Sequence, residues 1–291
     1  MDNLSEFTIE ANPEQVTPDY VKDLKKLGFN RISIGIQSFD DKILQLLGRL
    51  HDKNQAETAI INASNANFSN ISIDLIYGIA ARNNGDWHSE LNHLKNFPIT
   101  HFSAYALTVE ENTLLHKKIS NHTFSSSDDE QYLKEMNELF LFADDNNFEH
   151  YEISNFEKKN FHSLHNSNYW NGNSYLGLGA SAHSFNQTSR QWNIANLKSY
   201  IESLNKNILP YEIEYLSPTD KYNEYILLHL RTNNGINLNE LKSIFDNKKY
   251  NYLLQELSKI NTEYYTISNE SLKLTRKGII ISDDIISTLF L

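Results

Sequence analysis

Short apolar runs alternate with amphipathic stretches along the first half of the chain, and each apolar run ends in polar residues. Four such runs occupy Thr8–Pro13, Arg31–Phe39, Ile71–Gly78 and His101–Glu110. The stretches between them carry apolar residues at helical spacing, which predicts strand–helix–strand units. Strands that alternate with helices form a parallel sheet, and polar residues at the carboxyl ends of its strands usually belong to a site. The pattern predicts an α/β fold, as a (β/α) barrel or part of one.

The helices between these runs have recognisable boundaries. Thr17 followed by Pro18 predicts a helix start, and Gly28 predicts the end of the same helix. Further helices are predicted near Asn54–Ala66, Trp87–Phe97 and Asp128–Asn146, followed by one more strand at Tyr151–Ser154.

The character of the chain changes after Pro210. Three helices are predicted there, followed by two short β runs and a final helix after Gly278, an order that resembles a winged-helix module. The predicted helices are Thr219–Leu230, Leu238–Phe245 and Tyr250–Ile260, and the β runs are Tyr264–Ile267 and Ser271–Leu274. The sequence thus divides into a barrel-like part at 1–156, a polar insertion at 157–210 and a winged-helix-like part at 211–291.

Composition narrows the function classes. The 291 residues are 40% hydrophobic and 12% aromatic, which supports a packed core. A net charge of −11 argues against a nucleic-acid surface. No apolar run approaches the roughly 20 residues that span a bilayer, and the N-terminus lacks a secretory pattern. We therefore expect a soluble, cytoplasmic protein. The absence of cysteine excludes thiolate nucleophiles and thiolate ligands from these 291 residues.

Polar residues at or near the strand ends are the first candidates for a binding site. Glu10 ends the first strand, although a carboxylate there also serves to solvate a loop or cap a helix. Gln37 ends the second strand, and Asp74 interrupts the apolar third strand. A carboxylate inside a parallel strand is costly to bury without a partner. A ligand amine or hydroxyl would satisfy Asp74, as would an ion pair with Arg49.

Two motifs in the polar insertion are further candidates. His165 precedes Tyr169 and Trp170, which offers an axial metal ligand beside flat apolar faces, or else a loop anchored by two aromatics. The run Gly177–Ala182 is built of small residues, where the backbone can approach a planar ligand or another strand closely.

Taken in order, these motifs resemble a known family. The series EANP, RISIGIQSF, Gly48-Arg49, IDLIYG, LTVEENT, HNSNYW and GLGASAHS is similar to radical SAM proteins related to oxygen-independent coproporphyrinogen III oxidase. Within that group HNSNYW resembles the HNxxYW motif of the haem chaperone (HemW) branch. The resemblance extends through essentially the whole chain, including the winged-helix-like part.

The resemblance implies roles for individual residues. His165 would ligate haem iron, with Tyr169 and Trp170 shaping the surface around the macrocycle. The residues implied in contacting S-adenosylmethionine (SAM) are Glu10, Gln37, Arg49, Asp74, Thr108, Ala182 and His183.

The chain departs from the family in its N-terminal part. Relatives begin with a strand and a CxxxCxxC motif that holds a 4Fe–4S cluster, whereas this sequence has no cysteine and starts just before the third strand. Either the sequence is a fragment or it is a cluster-free paralogue. An unpaired edge at Thr8–Glu10 favours the fragment, and predicts poor solubility or association through that edge. The family's reductive cleavage of SAM would then be unavailable to this chain.

Two functions follow from the resemblance. The first is a haem chaperone that carries haem to acceptor proteins and binds SAM. The alternative is the coproporphyrinogen III oxidase of porphyrin biosynthesis, a dehydrogenase that decarboxylates two propionates.

Overall fold

The computed structural model describes residues 5–82, 86–108, 117 and 129–291, and it divides into two compact units. The first unit comprises Met1–Ser163 and the second Leu164–Leu291. Each has its own sheets and helices.

The first unit is built on a six-stranded sheet with the order β1-β2-β3-β4-β6-β5. Strands β1 to β4 are parallel, as the alternating pattern predicts. The strands are β1 (Thr8–Ala11), β2 (Arg31–Gln37), β3 (Asn70–Tyr77), β4 (His101–Ala106), β5 (Glu149–Glu152) and β6 (Asn155–Glu157). The α-helices between them are Pro18–Lys26, Asp41–Leu46, Lys53–Asn65, Asp86–His93 and Asp129–Asp145, with 3-10 turns at Pro13–Gln15 and Leu94–Asn96.

The first helix shows why the boundary signals worked. The Thr17 hydroxyl accepts a hydrogen bond from the backbone N–H of Tyr20 at 3.3 Å, and Pro18 occupies the first helical turn. The helix ends at Lys26, and Gly28 follows with φ +94°, a conformation that glycine adopts without strain.

The predicted strand at Tyr151–Ser154 has the wrong bounds, and the structure has two strands in this region instead of one. The chain forms β5 over Glu149–Glu152, turns, and returns as β6, which pairs antiparallel with both β5 and β4. The turn brings the Glu152 carboxylate to the backbone N–H of Ser154 at 3.3 Å. The helix Asp129–Asp145 leads into β5, and the short turn after β5 lets β6 pair antiparallel between β4 and β5.

The second unit begins with a helix and an antiparallel sheet. The helix spans Leu164–Trp170, and the sheet has the order β7-β8-β9 (His183–Phe185, Ser189–Asn193 and Tyr211–Tyr215), with the helix Leu197–Leu204 before β9. Neither the helix at Leu164–Trp170 nor this sheet was predicted from the polar composition of the segment.

The C-terminal part of this unit agrees with the predicted order of three helices and a β-hairpin. The helices are Pro218–Leu230, Leu238–Ile244 and Asn247–Leu257. The hairpin consists of β11 (Tyr265–Ser268) and β12 (Ser271–Leu274), and the short strand β10 (Ile236–Asn237) pairs with β12. Two short helices, Arg276–Ile280 and Ser282–Thr288, end the chain instead of one after Gly278. Tyr222, Leu241, Leu253 and Leu272 belong to a core that is fully buried within this unit.

Candidate functional site

The parallel sheet of the first unit has two chemically different faces. One face is apolar: Ile32, Ile34 and Ile36 of β2 are completely buried. Helix side chains pack there, since Trp87 lies 6.0 Å from Tyr77 and Phe142 lies 6.0 Å from Phe102, measured between ring centroids. Because strand side chains alternate between faces, the remaining positions form the opposite face, which is polar. That face carries Glu10, Ser33, Ser72, Asp74, Ser103 and Tyr105.

Asp74 stands at the middle of this polar face. The Ser33 hydroxyl donates a hydrogen bond to its carboxylate at 3.4 Å, and Ser103 also hydrogen-bonds to it. Burial raises the pKa of Asp74, and the nearby Glu10 carboxylate raises it further, whereas Arg31 and the serine hydroxyls lower it. Two acidic groups therefore face the same space and repel one another. Such a site suits a ligand that brings a cationic or hydrogen-bonding group.

The alternative of an Asp74–Arg49 ion pair is not realised in the described part of the chain. Arg49 follows the helix Asp41–Leu46 and Gly48, whose φ is +70°, and its backbone N–H donates to the Leu44 carbonyl at 2.9 Å. Its side chain is half-buried. Asp74 is thus held by hydroxyl groups, which leaves its charge uncompensated by a partner at ion-pair distance.

Gln37 is placed by an irregularity at the end of β2. The β2–β3 register shifts between Ile34 and Gln37, and Gln37 has a φ of +67° although it is not glycine. A Cβ added at Gly35 would lie 2.9 Å from the Gln37 Nε2, so the amide lies over Gly35 on the polar face. The bulge and the glycine together turn the Gln37 side chain back over the sheet.

Thr108 is exposed and lies two residues beyond β4. The rest of the LTVEENT motif, residues 109–113, falls outside the described residues. The first unit thus brings Glu10, Gln37 and Asp74 to one face of the sheet. Arg49 and Thr108 lie in the connections after β2 and β4.

The amino-terminal end of the same face is closed by a buried polar network. His101 is fully buried; Ser72 Oγ lies 2.7 Å from its Nδ1, and Tyr151 Oη lies 2.8 Å from its Nε2. Arg31 Nη2 also lies 3.4 Å from Nδ1. Since the guanidinium can only donate, Nδ1 accepts and Nε2 carries the proton. Burial, together with the Arg31 charge, holds the pKa of His101 well below its usual range.

Sequence reasoning missed most of this face, including Ser33, Ser103, Tyr105 and His101. A signal was present: polar residues recur at every second position in Asn70–Asp74 and His101–Tyr105, and also in Arg31–Gln37 apart from Gly35. That period marks one side of a strand.

In the second unit, His165, Tyr169 and Trp170 lie on one short helix, Leu164–Trp170. The His165 and Tyr169 rings meet edge to face, with centroids 4.8 Å apart at 83°, and Tyr169 meets Tyr175 at 4.7 Å. His165 and Tyr169 are exposed, and Trp170 is half-buried. The helix therefore presents an imidazole and a phenol ring on one accessible face.

The small-residue run serves a close approach of backbone. A Cβ at Gly177 would collide with the backbone of His183, and the Gly177 N–H donates to the Ser184 hydroxyl at 3.0 Å. The Ala182 carbonyl accepts from the N–H of Asn193 at 3.0 Å. His183 is exposed, with its ring 6.2 Å from that of Trp192. Of the two uses considered for this run, the geometry shows the approach of a strand.

Within the described ranges, no three His, Cys, Asp or Glu side chains are grouped so that they could hold a metal ion. None of the described helices is long and apolar enough to cross a membrane.

Comparison with known proteins gives consistent matches. The radical SAM superfamily model matches residues 2–94. The haem chaperone HemW of Bacillus subtilis (strain 168) is 31% identical over 235 residues, covering 80% of this chain and 62% of that protein. HemW of Mycobacterium tuberculosis (strain H37Rv) is 28% identical over 286 residues, covering 98% of this chain and 72% of the relative. The chain thus spans less than two thirds of the Bacillus protein's length.

The fold also matches a solved structure. Coproporphyrinogen III oxidase (HemN) from Escherichia coli, a radical SAM enzyme, superposes with a TM-score of 0.80 at 18% identity, over 98% of this chain and 69% of that one. At that identity the likeness establishes the α/β radical SAM fold alone. By sequence, residues 2–94 match the radical SAM superfamily model, and most of the chain is similar to the HemW proteins.

Proposed function

We propose that this protein is a cytoplasmic haem carrier that binds haem through His165 and passes it to haem-accepting proteins. The observation that carries the proposal is the accessible His165–Tyr169 pair on the helix Leu164–Trp170. Relatives that match 80–98% of the chain are named haem chaperones.

The residues on this helix suit an iron porphyrin. A neutral imidazole is a common axial ligand of haem iron. Aromatic rings give the macrocycle flat apolar surfaces, which Tyr169 and Trp170 would provide. An exposed helix leaves the second face of the macrocycle open, and a carrier needs this to transfer its cargo.

We also propose that the polar face of the first unit binds SAM. The fit is chemical: the Glu10 and Asp74 carboxylates suit the ammonium and ribose hydroxyl groups, and the Gln37 amide can both donate and accept. Arg49 and Thr108 of the first unit complete the proposed set on this face. SAM bound here would supply an adenosyl and a sulfonium group, while the chain's residues bind and orient it.

A 4Fe–4S cluster does not fit the residues present. The 291 residues contain no cysteine, so no thiolate of this chain can ligate iron. These 291 residues therefore supply no ligands for the cluster that cleaves SAM in the radical reaction.

Haem titration of the purified chain tests the carrier proposal. We expect a Soret shift for the wild type that is lost, or weakened at least about tenfold, in His165→Ala. His88→Ala is the matched control, because His88 is also an exposed helical histidine but lies in the first unit. Identical titration curves for the wild type and His165→Ala would refute the assignment.

The alternative is the coproporphyrinogen III oxidase reaction, which the likeness to HemN favours at the level of fold. A decarboxylation assay with the full-length gene product distinguishes it from the carrier.

Formation of 5′-deoxyadenosine by residues 1–291 alone would contradict our expectation that this chain is catalytically silent.

A further inference from the structure

The second unit contains a cavity of about 640 Å³ that no motif predicted. Helix Pro218–Leu230, the β7–β8 turn, the segment around Phe245 and residues 171–172 line it, and one side is open to solvent. Its volume falls within the range of roughly 300–1,000 Å³ typical of small-molecule sites. The residues that matter for its chemistry are Phe185, Lys221, Tyr225, Leu228, His229 and Phe245.

His229 has the hydrogen bonding of a metal-ligating histidine. Its Nδ1 lies 2.9 Å from the backbone carbonyl of Tyr225, one helical turn earlier. Because a carbonyl can only accept, Nδ1 carries the proton and Nε2 carries the lone pair. Nε2 has no hydrogen-bond partner among the residues that the structure describes. Burial lowers the pKa of His229, which favours the neutral ring. Metal-bound histidines commonly donate their second nitrogen to a carbonyl in this way.

Aromatic and aliphatic side chains surround His229, and the charged side chains on the lining are Lys221, Glu224, Glu240, Asp246 and Lys249. The Tyr225 ring stacks on the His229 ring with centroids 3.8 Å apart, and Phe245 meets Tyr225 edge-on at 5.5 Å. Leu228 and Phe185 add apolar surface. The buried Tyr225 hydroxyl has no hydrogen-bond partner in the described part of the chain.

One cation on the lining is available for a carboxylate. Lys221 is exposed and makes no ion pair with any described residue. By contrast, Lys249 lies 3.6 Å from Asp246, and Glu224 is paired with Arg190. An anionic substituent at the rim would therefore meet Lys221 without displacing an existing pair.

We propose that this cavity is a second porphyrin site, in which Nε2 of His229 ligates haem iron and Lys221 binds a propionate. The choice of haem as the ligand class rests on the proposed function, while the site itself rests on the cavity and on the hydrogen bonding of His229. It uses none of the residues assigned to the His165 site.

Haemin titration of the full 291-residue chain separates the two sites. We compare wild type, His165→Ala, His229→Ala and the control His88→Ala. His229→Ala should weaken one class of haemin site at least about tenfold, while the His165-dependent Soret band remains. Added imidazole should restore the lost spectrum, because it can replace the missing iron ligand. It would not restore the spectrum if the substitution had only damaged the structure. Metal-free protoporphyrin IX should bind His229→Ala and the wild type alike.

The outcomes are distinct. Haemin binding by His229→Ala that equals the wild type overturns the second site, as does an equal loss of metal-free porphyrin. If His165→Ala binds normally and His229→Ala does not, the proposed function fails at His165 and the second site stands. Should circular dichroism show that His229→Ala is unfolded, His229→Gln, which keeps a polar side chain of similar length but has no imidazole, decides: undiminished haemin binding by a folded His229→Gln refutes the proposal.

Discussion

Asp74 is a carboxylate held where its charge costs stability. Burial and the neighbouring Glu10 raise its pKa from 3.8, and the groups that hydrogen-bond to it are neutral hydroxyls. The folded state therefore favours protonated Asp74. Protonated Asp74 therefore contributes to the free energy of unfolding. This contribution is complete below the pKa of Asp74 in the unfolded state and is lost as the pH rises through its folded-state pKa. A residue kept at such a cost is a candidate for ligand binding.

Asp74→Asn should therefore raise the free energy of unfolding at pH 7 by about 1 kcal/mol while weakening SAM binding. The stability difference should shrink towards zero as the pH falls below the folded-state pKa. Urea denaturation between pH 4 and pH 7, with calorimetric SAM titration, measures both effects.

Asp220→Asn is the control for this prediction. The backbone N–H of Ser217 lowers the pKa of Asp220, so ionised Asp220 stabilises the start of its helix. Its replacement should reduce stability at pH 7 and leave SAM binding unchanged.

If Asp74→Asn is less stable than the wild type at pH 7, the site favours the ionised form and our interpretation of Asp74 is wrong.

Individual elements were predicted where the local pattern decides the structure. The helix Pro18–Lys26 has its cap, its proline and its glycine in sequence, and β2 and β3 carry isoleucine at alternate positions. Strand β9 was missed although Tyr, Glu, Ile, Glu and Tyr alternate over Tyr211–Tyr215, a pattern typical of a strand. Every residue of this strand is exposed, and it pairs with β8. The helix Leu164–Trp170 likewise buries no residue completely.

The approach of Gly177 to His183 gives a prediction for this sheet. Gly177→Ala should lower the free energy of unfolding by about 1–3 kcal/mol, because its methyl group would meet backbone that cannot rotate away. Leu178→Ala, one residue later and 82% exposed, should change it by less than about 0.5 kcal/mol. Thermal unfolding followed by circular dichroism compares the two variants. Equal stabilities would mean that this segment can shift to accept a side chain.

At the scale of the molecule, the candidate site lies on a sheet whose first strand pairs on one side only among the described residues. Its exposed backbone groups can accept another strand, whereas the net charge of −11 keeps copies of the chain apart. Salt screens that repulsion, with a Debye length of about 10 Å at 0.1 M.

We therefore expect the 291-residue chain to self-associate, and its average mass to rise with protein concentration and with salt. Thr8→Lys in β1 should reduce this association, because a charged edge strand disfavours pairing. Thr266→Lys, an exposed position on β11 at the edge of another sheet, makes the same change in charge; it is the matched control and should leave the β1-dependent association in place. Sedimentation velocity at about 50 to 500 mM salt compares the variants, because the Debye length falls over this range and the repulsion between copies is progressively screened. A monomer at every concentration would show that β1 is not an adhesive edge.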